Sequence, residues 1–281
     1  MLQQCPKVTE LGNFGIQTHP DKTLHDLDFA DDIVLLDSDK ERANDHITCL
    51  KENAGYVGLN INFKKTKAWF LGCEAAPLVV LEQEVAPVED FCYLGSMISS
   101  PLDDLRRRRG MAWSVFWKLE TVWRSQSLNL ETKLSLFDSL VLSAMLYGAE
   151  TWPISTQMNQ LINSFATSAY RIMTGVKRLD KVRNTTVLRS VSRNDLIHTV
   201  HDRQLRFLGH MLRNTHSPHA STYALYQPTH GTTRRGRPRL NYMDYIEKLT
   251  GMKVNELLEV SQDREAWREL VVACVDLQPP D

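Results

Sequence analysis

The chain has 281 residues, 42% hydrophobic and 24% charged, enough for about two globular domains and too ordinary in composition for disorder or a fibrous repeat. Its longest nearly apolar stretch, Leu140 to Ala149, is far short of the ~20 residues of a membrane-spanning helix. The net charge of −1 hides an asymmetry: residues 171–240 carry 14 Lys and Arg against 3 Asp and Glu, while residues 1–100 carry 8 against 16, the distribution expected of a polyanion partner.

The opening Met1-Leu2-Gln3-Gln4-Cys5-Pro6 does not read as a signal peptide, and five scattered cysteines suit a reducing compartment. An intracellular protein, cytoplasmic or nuclear, with no membrane partner is expected. Residues 1–23 lack periodicity and hold Gly12, Gly15 and Pro20, a loose lead-in. From Leu24 to Leu36, apolar runs flank Asp31-Asp32, the pattern of a β-hairpin with an acidic tip. Ser38 to Glu41 has capping-box spacing with Ser38 as N-cap. Ala43, Ile47, Leu50, Ala54 and Val57 then recur on one helical face, and Gly55 and Gly58 mark its end. Ile61 to Leu71, with Lys64, Lys65 and Lys67, reads as a strand, as does Phe91 to Leu94 before Gly95.

Helices follow from Leu102. Leu105, Ala112, Phe116, Leu119 and Trp123 share one face, and Trp113, Trp117 and Trp123 read as packing residues. A second helix is expected near Thr132 to Tyr147, a third from Thr156 to Thr174 with Gly175 at C′, and a fourth starting at Asp195 as N-cap. The basic stretch His216 to Leu240 reads as a loop, and short helices near 242–249, 254–258 and 263–273 close the chain.

Two adjacent carboxylates at a hairpin apex repel each other unless a cation sits there. Hard divalent ions such as Mg²⁺ prefer carboxylate oxygens, and a pair of them can stabilise both oxygens of a nucleotidyl transfer. A surface turn with no ligand is the bland alternative. The string Leu27-Asp28-Phe29-Ala30-Asp31-Asp32 resembles the catalytic hairpin of reverse transcriptases, and the order of later blocks is similar to that of non-LTR (LINE-type) retrotransposon polymerases. Those blocks are Val57 to Asn62 with Lys65-Thr66-Lys67, Phe91-Cys92-Tyr93-Leu94-Gly95, Leu136 to Trp152, Arg206 to His210, Arg235 to Arg239 and Gln262 to Leu270.

The resemblance implies an α+β fold: a lead-in (1–23), a partial reverse-transcriptase palm (24–100), a mainly helical thumb (101–176) and a basic helical C-terminal region (177–281). It implies RNA-directed DNA synthesis with Mg²⁺, an RNA template and a DNA primer. Asp31 and Asp32 would be the metal-ligating carboxylates, Lys65 would face the nucleotide phosphates, and Tyr93 and Gly95 would let the primer backbone approach. A solvated lysine is the alternative for Lys65, an ordinary tight turn for Tyr93 and Gly95. In that family an earlier palm carboxylate and the fingers precede the hairpin, and only 30 residues stand before Asp31. None of Glu10, Asp21, Asp26 and Asp28 has a Phe-Asp strand context. Taken alone the chain is therefore expected to be a truncated or degraded copy, inactive as a polymerase; the rivals are a catalytically inactive nucleic-acid-binding remnant and an inert open reading frame.

The basic block can act without the missing half. Arg203 and Arg206, with Phe207 nearby for stacking, are candidate nucleic-acid contacts. Arg235-Gly236-Arg237-Pro238-Arg239 resembles a minor-groove AT-hook, through which the tail could reach chromosomal DNA; a basic loop is the alternative. No cysteine lies between Cys92 and Cys274, so no zinc site is expected, and His198 and His201 are placed on a solvated helix flank.

Overall fold

The structure, a computed structural model, describes residues 15–19, 22–80, 83–214, 219–225 and 241–276. Arg235, Arg237 and Arg239 lie outside the described residues, as do Gly236, His216 and His230. The chain divides into two compact units, Met1–Ser99 and Ser100–Asp281.

Every sheet described in the first unit is two-stranded. Part of the expected lead-in forms an antiparallel pair, β1 (Ile16–His19) and β2 (Lys22–Leu24). The acidic hairpin is β3 (Asp26–Phe29) and β4 (Asp32–Leu35), with Phe29 opposite Asp32 and Asp28 opposite Ile33. Helix α1 (Lys40–Tyr56) follows, but its N-cap is Asp39, whose carboxylate accepts the Arg42 N–H at 2.9 Å. The expected cap, Ser38, instead accepts from the Arg42 guanidinium. A carboxylate is the stronger acceptor for a backbone N–H at a helix start, which shifts the boundary by one residue.

The expected strand from Ile61 to Leu71 shrinks to β5 (Ala68–Trp69). The carbonyl of Asn62 accepts the N–H groups of Lys65 and Thr66 and the Thr66 hydroxyl, and these local bonds curl the chain into a turn before Ala68. Strand β5 pairs in parallel with β8 (Pro87–Val88), β6 (Leu78–Val80) pairs with β7 (Gln83–Val85), and β9 (Cys92–Tyr93) with β10 (Ser96–Met97). The core is small: Ala68, Val80 and Val85 are buried, with Ile47, Phe63, Phe70 and Leu78 against them. Phe29, Tyr56, Val57, Leu59, Leu71 and Val79 all remain exposed.

The second unit is helical and much better packed. Ser100 caps α2 (Pro101–Lys118), with Pro101 at its first turn, where a missing N–H costs nothing. After α3 (Glu120–Arg124), one continuous helical stretch comprises α4 (Leu130–Leu136), a π-helical segment Phe137–Leu142 and α5 (Ser143–Met145). Helix α6 (Thr156–Thr174) runs from its Ser155 cap to Gly175, which takes the left-handed φ of 73° that favours glycine. Helix α7 (Asn184–Ser190) leads to α8 (Leu196–Arg213). Asp195 stands at the N-cap of α8 without a side-chain capping bond; Asn163 Oδ1 of α6 accepts the Ile197 N–H instead. Then come α9 (His219–Ala224), α10 (Tyr242–Thr250), α11 (Val254–Gln262) and α12 (Arg264–Asp276).

Two apolar cores meet along α8. Its first half, through Ile197 and Val200, joins the core built on Phe116, Phe137, Phe165 and Tyr170. Its second half, through Leu205 and Leu208, joins the core of α10, α11 and α12. Packing thus runs straight across residue 176. Trp123 is buried and stacks on Phe116, Trp113 packs edge-on to Phe165, and Trp117, although half exposed, stacks on Trp113 and packs edge-on to Phe116.

Candidate functional site

The acidic hairpin has the geometry of a tight two-residue turn. Ala30, the first residue of that turn, takes a left-handed φ of 55°, a conformation that favours glycine. The turn and strand alternation place Asp31 at the apex and Asp32 at the start of β4, both exposed. Asp26 and Asp28, two residues apart, share the face opposite to that of Phe29 and Asp32.

The second hairpin of the site is β9–β10. Its turn is Leu94-Gly95, with φ 46° and 81°, the type I′ form that matches strand twist. Gly95 tolerates this conformation; Leu94 does so at a cost, as Ala30 does. The Tyr93 hydroxyl, just before that turn, donates to the Leu27 carbonyl at 3.1 Å and joins the two hairpins. Burial and then the nearby charges of Asp28 and Asp32 push the Tyr93 hydroxyl pKa up. Burial, reinforced by the neighbouring Asp26 carboxylate, raises that of Asp28. Asp28 is thus part of the constellation, and the period-2 spacing Asp26/Asp28 is the signal that could have marked it.

Lys65 lies exposed in the Asn62 turn, and no ion pair joins it to Asp31 or Asp32. The fit to a divalent ion is partial. Asp31 and Asp32 supply hard oxygen donors suited to Mg²⁺. Among the described residues, no three His, Cys, Asp or Glu side chains are grouped as a metal site.

The cations of the second unit sort into two groups. Arg203 binds Glu150 at 2.7 Å, Arg206 chelates Asp202 at 2.7 and 2.8 Å, and Arg213 donates to the Ser261 carbonyl. Arg193 pairs with Asp138 of the π-helical segment. Arg203 and Arg206 therefore already have carboxylate partners. Lys177, Arg178, Lys181 and Arg183, on the turn after α6, are exposed and form no ion pair among the described residues.

His198 and His201 are packed rather than solvated. His198 Nδ1 donates to the Val275 carbonyl at 2.6 Å, and His201 lies beside Tyr245, with its pKa lowered to about 4 by burial and then by His198. Gln204, fully buried one turn on, donates to the carbonyls of Ala149 and Trp152 and accepts from the Tyr245 hydroxyl. Among the described residues, no helix is long and apolar enough to cross a membrane.

The chain is 24% identical over 269 residues to an uncharacterized, transposon-derived protein of Caenorhabditis elegans, covering 89% of this chain and 96% of that protein. That likeness fits a transposable-element origin. No protein-family model matches the chain, and no solved structure does.

Proposed function

We propose that the chain is the late-palm, thumb and tail portion of an RNA-directed DNA polymerase of the non-LTR retrotransposon kind. The observation that carries the reading is the Tyr93–Leu27 bond, which ties an acidic hairpin with a left-handed residue at its turn to a second tight hairpin. Strained turns persist where surrounding structure holds them, and they cluster at functional sites. Similarity to a transposon-derived protein supports the same origin.

In this reading Asp31 and Asp32 hold Mg²⁺, which when bound supplies charge neutralisation for nucleotidyl transfer. Tyr93 braces the hairpin through the Leu27 carbonyl of its first strand, and Gly95 leaves the second turn without a side chain, so that a primer backbone can come close. Lys65 sits on an exposed turn, from which a flexible ammonium can reach a phosphate as a point charge. The lack of a third grouped carboxylate among the described residues favours a second reading for the chain alone: a nucleic-acid-binding remnant without catalysis.

Two measurements test this. Mn²⁺ should broaden the amide resonances of the Asp28–Ile33 segment, and Asp31→Ala should remove the broadening; broadening unchanged in both Asp31→Ala and Asp32→Ala would sink the metal reading. On poly(rA)/oligo(dT), binding without extension assigns the remnant, whereas extension abolished by Asp31→Ala assigns an active polymerase.

A further inference from the structure

We infer that the turn Lys177–Arg183 is a duplex-nucleic-acid contact, a cationic clamp that carries one apolar wedge, Leu179. The inference rests on charge and geometry in the second unit and goes beyond the assignment of the acidic hairpin.

The turn is held in place by its own neighbours. Arg171 of α6 donates to the Val182 carbonyl and to Asn184 Oδ1, which clamps the far end. Asp180 Oδ2 accepts the Lys177 N–H at 2.7 Å, and the Asp180 N–H closes back on the Lys177 carbonyl at 3.1 Å. Lys181 takes a left-handed φ of 51° to complete the bend. Asp180, the one acid in the segment, thus points its carboxylate at backbone, leaving four cations around a rigid loop. Such preorganisation lowers the entropy lost on binding.

At the crest, Leu179 is 88% exposed. An exposed leucine alone is ordinary. Set among four cations without ion-pair partners among the described residues, on a turn fixed at both ends, it has the make-up of elements that grip phosphates and insert an apolar side chain between base steps. Arg178 and Arg183 offer planar forks that suit phosphate oxygens. A protein partner is less suited: lysine is depleted at protein interfaces, and one leucine without an aromatic anchor is a poor hot spot. A membrane is also less suited, because a single leucine inserts little apolar surface and stable anchoring takes more than one signal.

The test uses the full chain and a mixed-sequence 20-base-pair duplex, read by fluorescence anisotropy across a salt series. If the four cations each engage a phosphate, the quadruple variant Lys177→Gln, Arg178→Gln, Lys181→Gln, Arg183→Gln should flatten the slope of log K against log salt by about 3–4. Affinity at low salt should fall at least tenfold. Leu179→Ala should leave that slope unchanged and reduce the fluorescence rise of 2-aminopurine in the bound duplex, the sign of unstacking. These positions are solvent-exposed, so unchanged circular-dichroism melting confirms that the variants fold. An unchanged slope in the quadruple variant would overturn the inference. So would tighter binding to vesicles of phosphatidylcholine and phosphatidylserine than to the duplex, or loss of binding in Asp31→Ala equal to that in the quadruple variant. Failure of the metal test at Asp31, with the slope change intact, leaves the clamp standing.

Discussion

Tyr93 and Leu27, 66 residues apart, are joined by a hydrogen bond from the tyrosine hydroxyl to the leucine carbonyl at 3.1 Å. In a first unit whose described buried core is three side chains, this bond ties the acidic hairpin to the strand that leads into the turn at Leu94-Gly95. Tyr93→Phe keeps the ring and removes only the donor. We expect faster hydrogen exchange in residues 24–36, corresponding to a loss of about 0.5–1.5 kcal/mol, the net worth of one such bond. Unchanged exchange in that segment would remove the brace from the account of the site.

The turn residue Ala30 pays for its φ of 55°. Ala30→Val adds a β-branched side chain where even alanine is disfavoured, and should destabilise the hairpin by about 1–2 kcal/mol. Ala30→Gly should move exchange in the opposite direction. If both substitutions were neutral, the turn would carry no strain.

The acids next to Tyr93 have a pH signature. Asp28 has a folded-state pKa above its ordinary value, chiefly through burial, so its contribution to stability is present at low pH and is lost as pH rises through that pKa. Asp28→Asn should therefore protect residues 24–36 from exchange at pH 7 and have no effect near pH 3. Equal protection at both values would mean that the asparagine acts through something other than charge.

In the second unit, His201 is held neutral, with a pKa of about 4 against an ordinary 6.5. The unfolded chain binds a proton that the folded chain refuses, so stability falls as pH drops from about 6.5 to about 4 and levels off below. A shift of this size is worth up to about 3 kcal/mol. His201→Gln should flatten the pH dependence of the melting temperature across that window; a profile parallel to wild type would place the titration elsewhere.

Helix α8 and helix α12 meet at a glycine. A Cβ on Gly209 would lie 2.5 Å from Cε2 and 2.7 Å from Cδ1 of Trp267, whose indole N–H is bound to the Leu205 carbonyl. Alanine is the better helix former by about 1 kcal/mol, yet it must displace a buried ring. Gly209→Ala should cost about 1–3 kcal/mol overall in thermal or urea unfolding. A stabilised variant would mean that the two helices can slide apart at no cost.

That contact also joins two strings that lie far apart in the sequence. Leu208-Gly209-His210 and Ala266-Trp267-Arg268 are 58 residues apart in the chain, counted Gly209 to Trp267, and one fits the other. Their spacing reads as two unrelated strings until the helices pack. The acidic hairpin was legible because its signal is local: apolar runs on either side of two acids, within thirteen residues. The Lys65 strand was not, because Asn62 offers nearby backbone donors a closer acceptor than any partner strand could.

By itself the sequence determined the acidic turn, the end of α6 at Gly175 and the location of the excess positive charge, since each rests on composition, hydrogen bonds or periodicity spanning a few residues. Only the tertiary structure decided which cations are spoken for. Arg203 finds Glu150, Arg193 finds Asp138 and Arg171 finds the Val182 carbonyl across gaps in sequence that no local pattern encodes. Charge is a property of composition, whereas its availability depends on which carboxylate or carbonyl the folded chain brings within hydrogen-bonding distance.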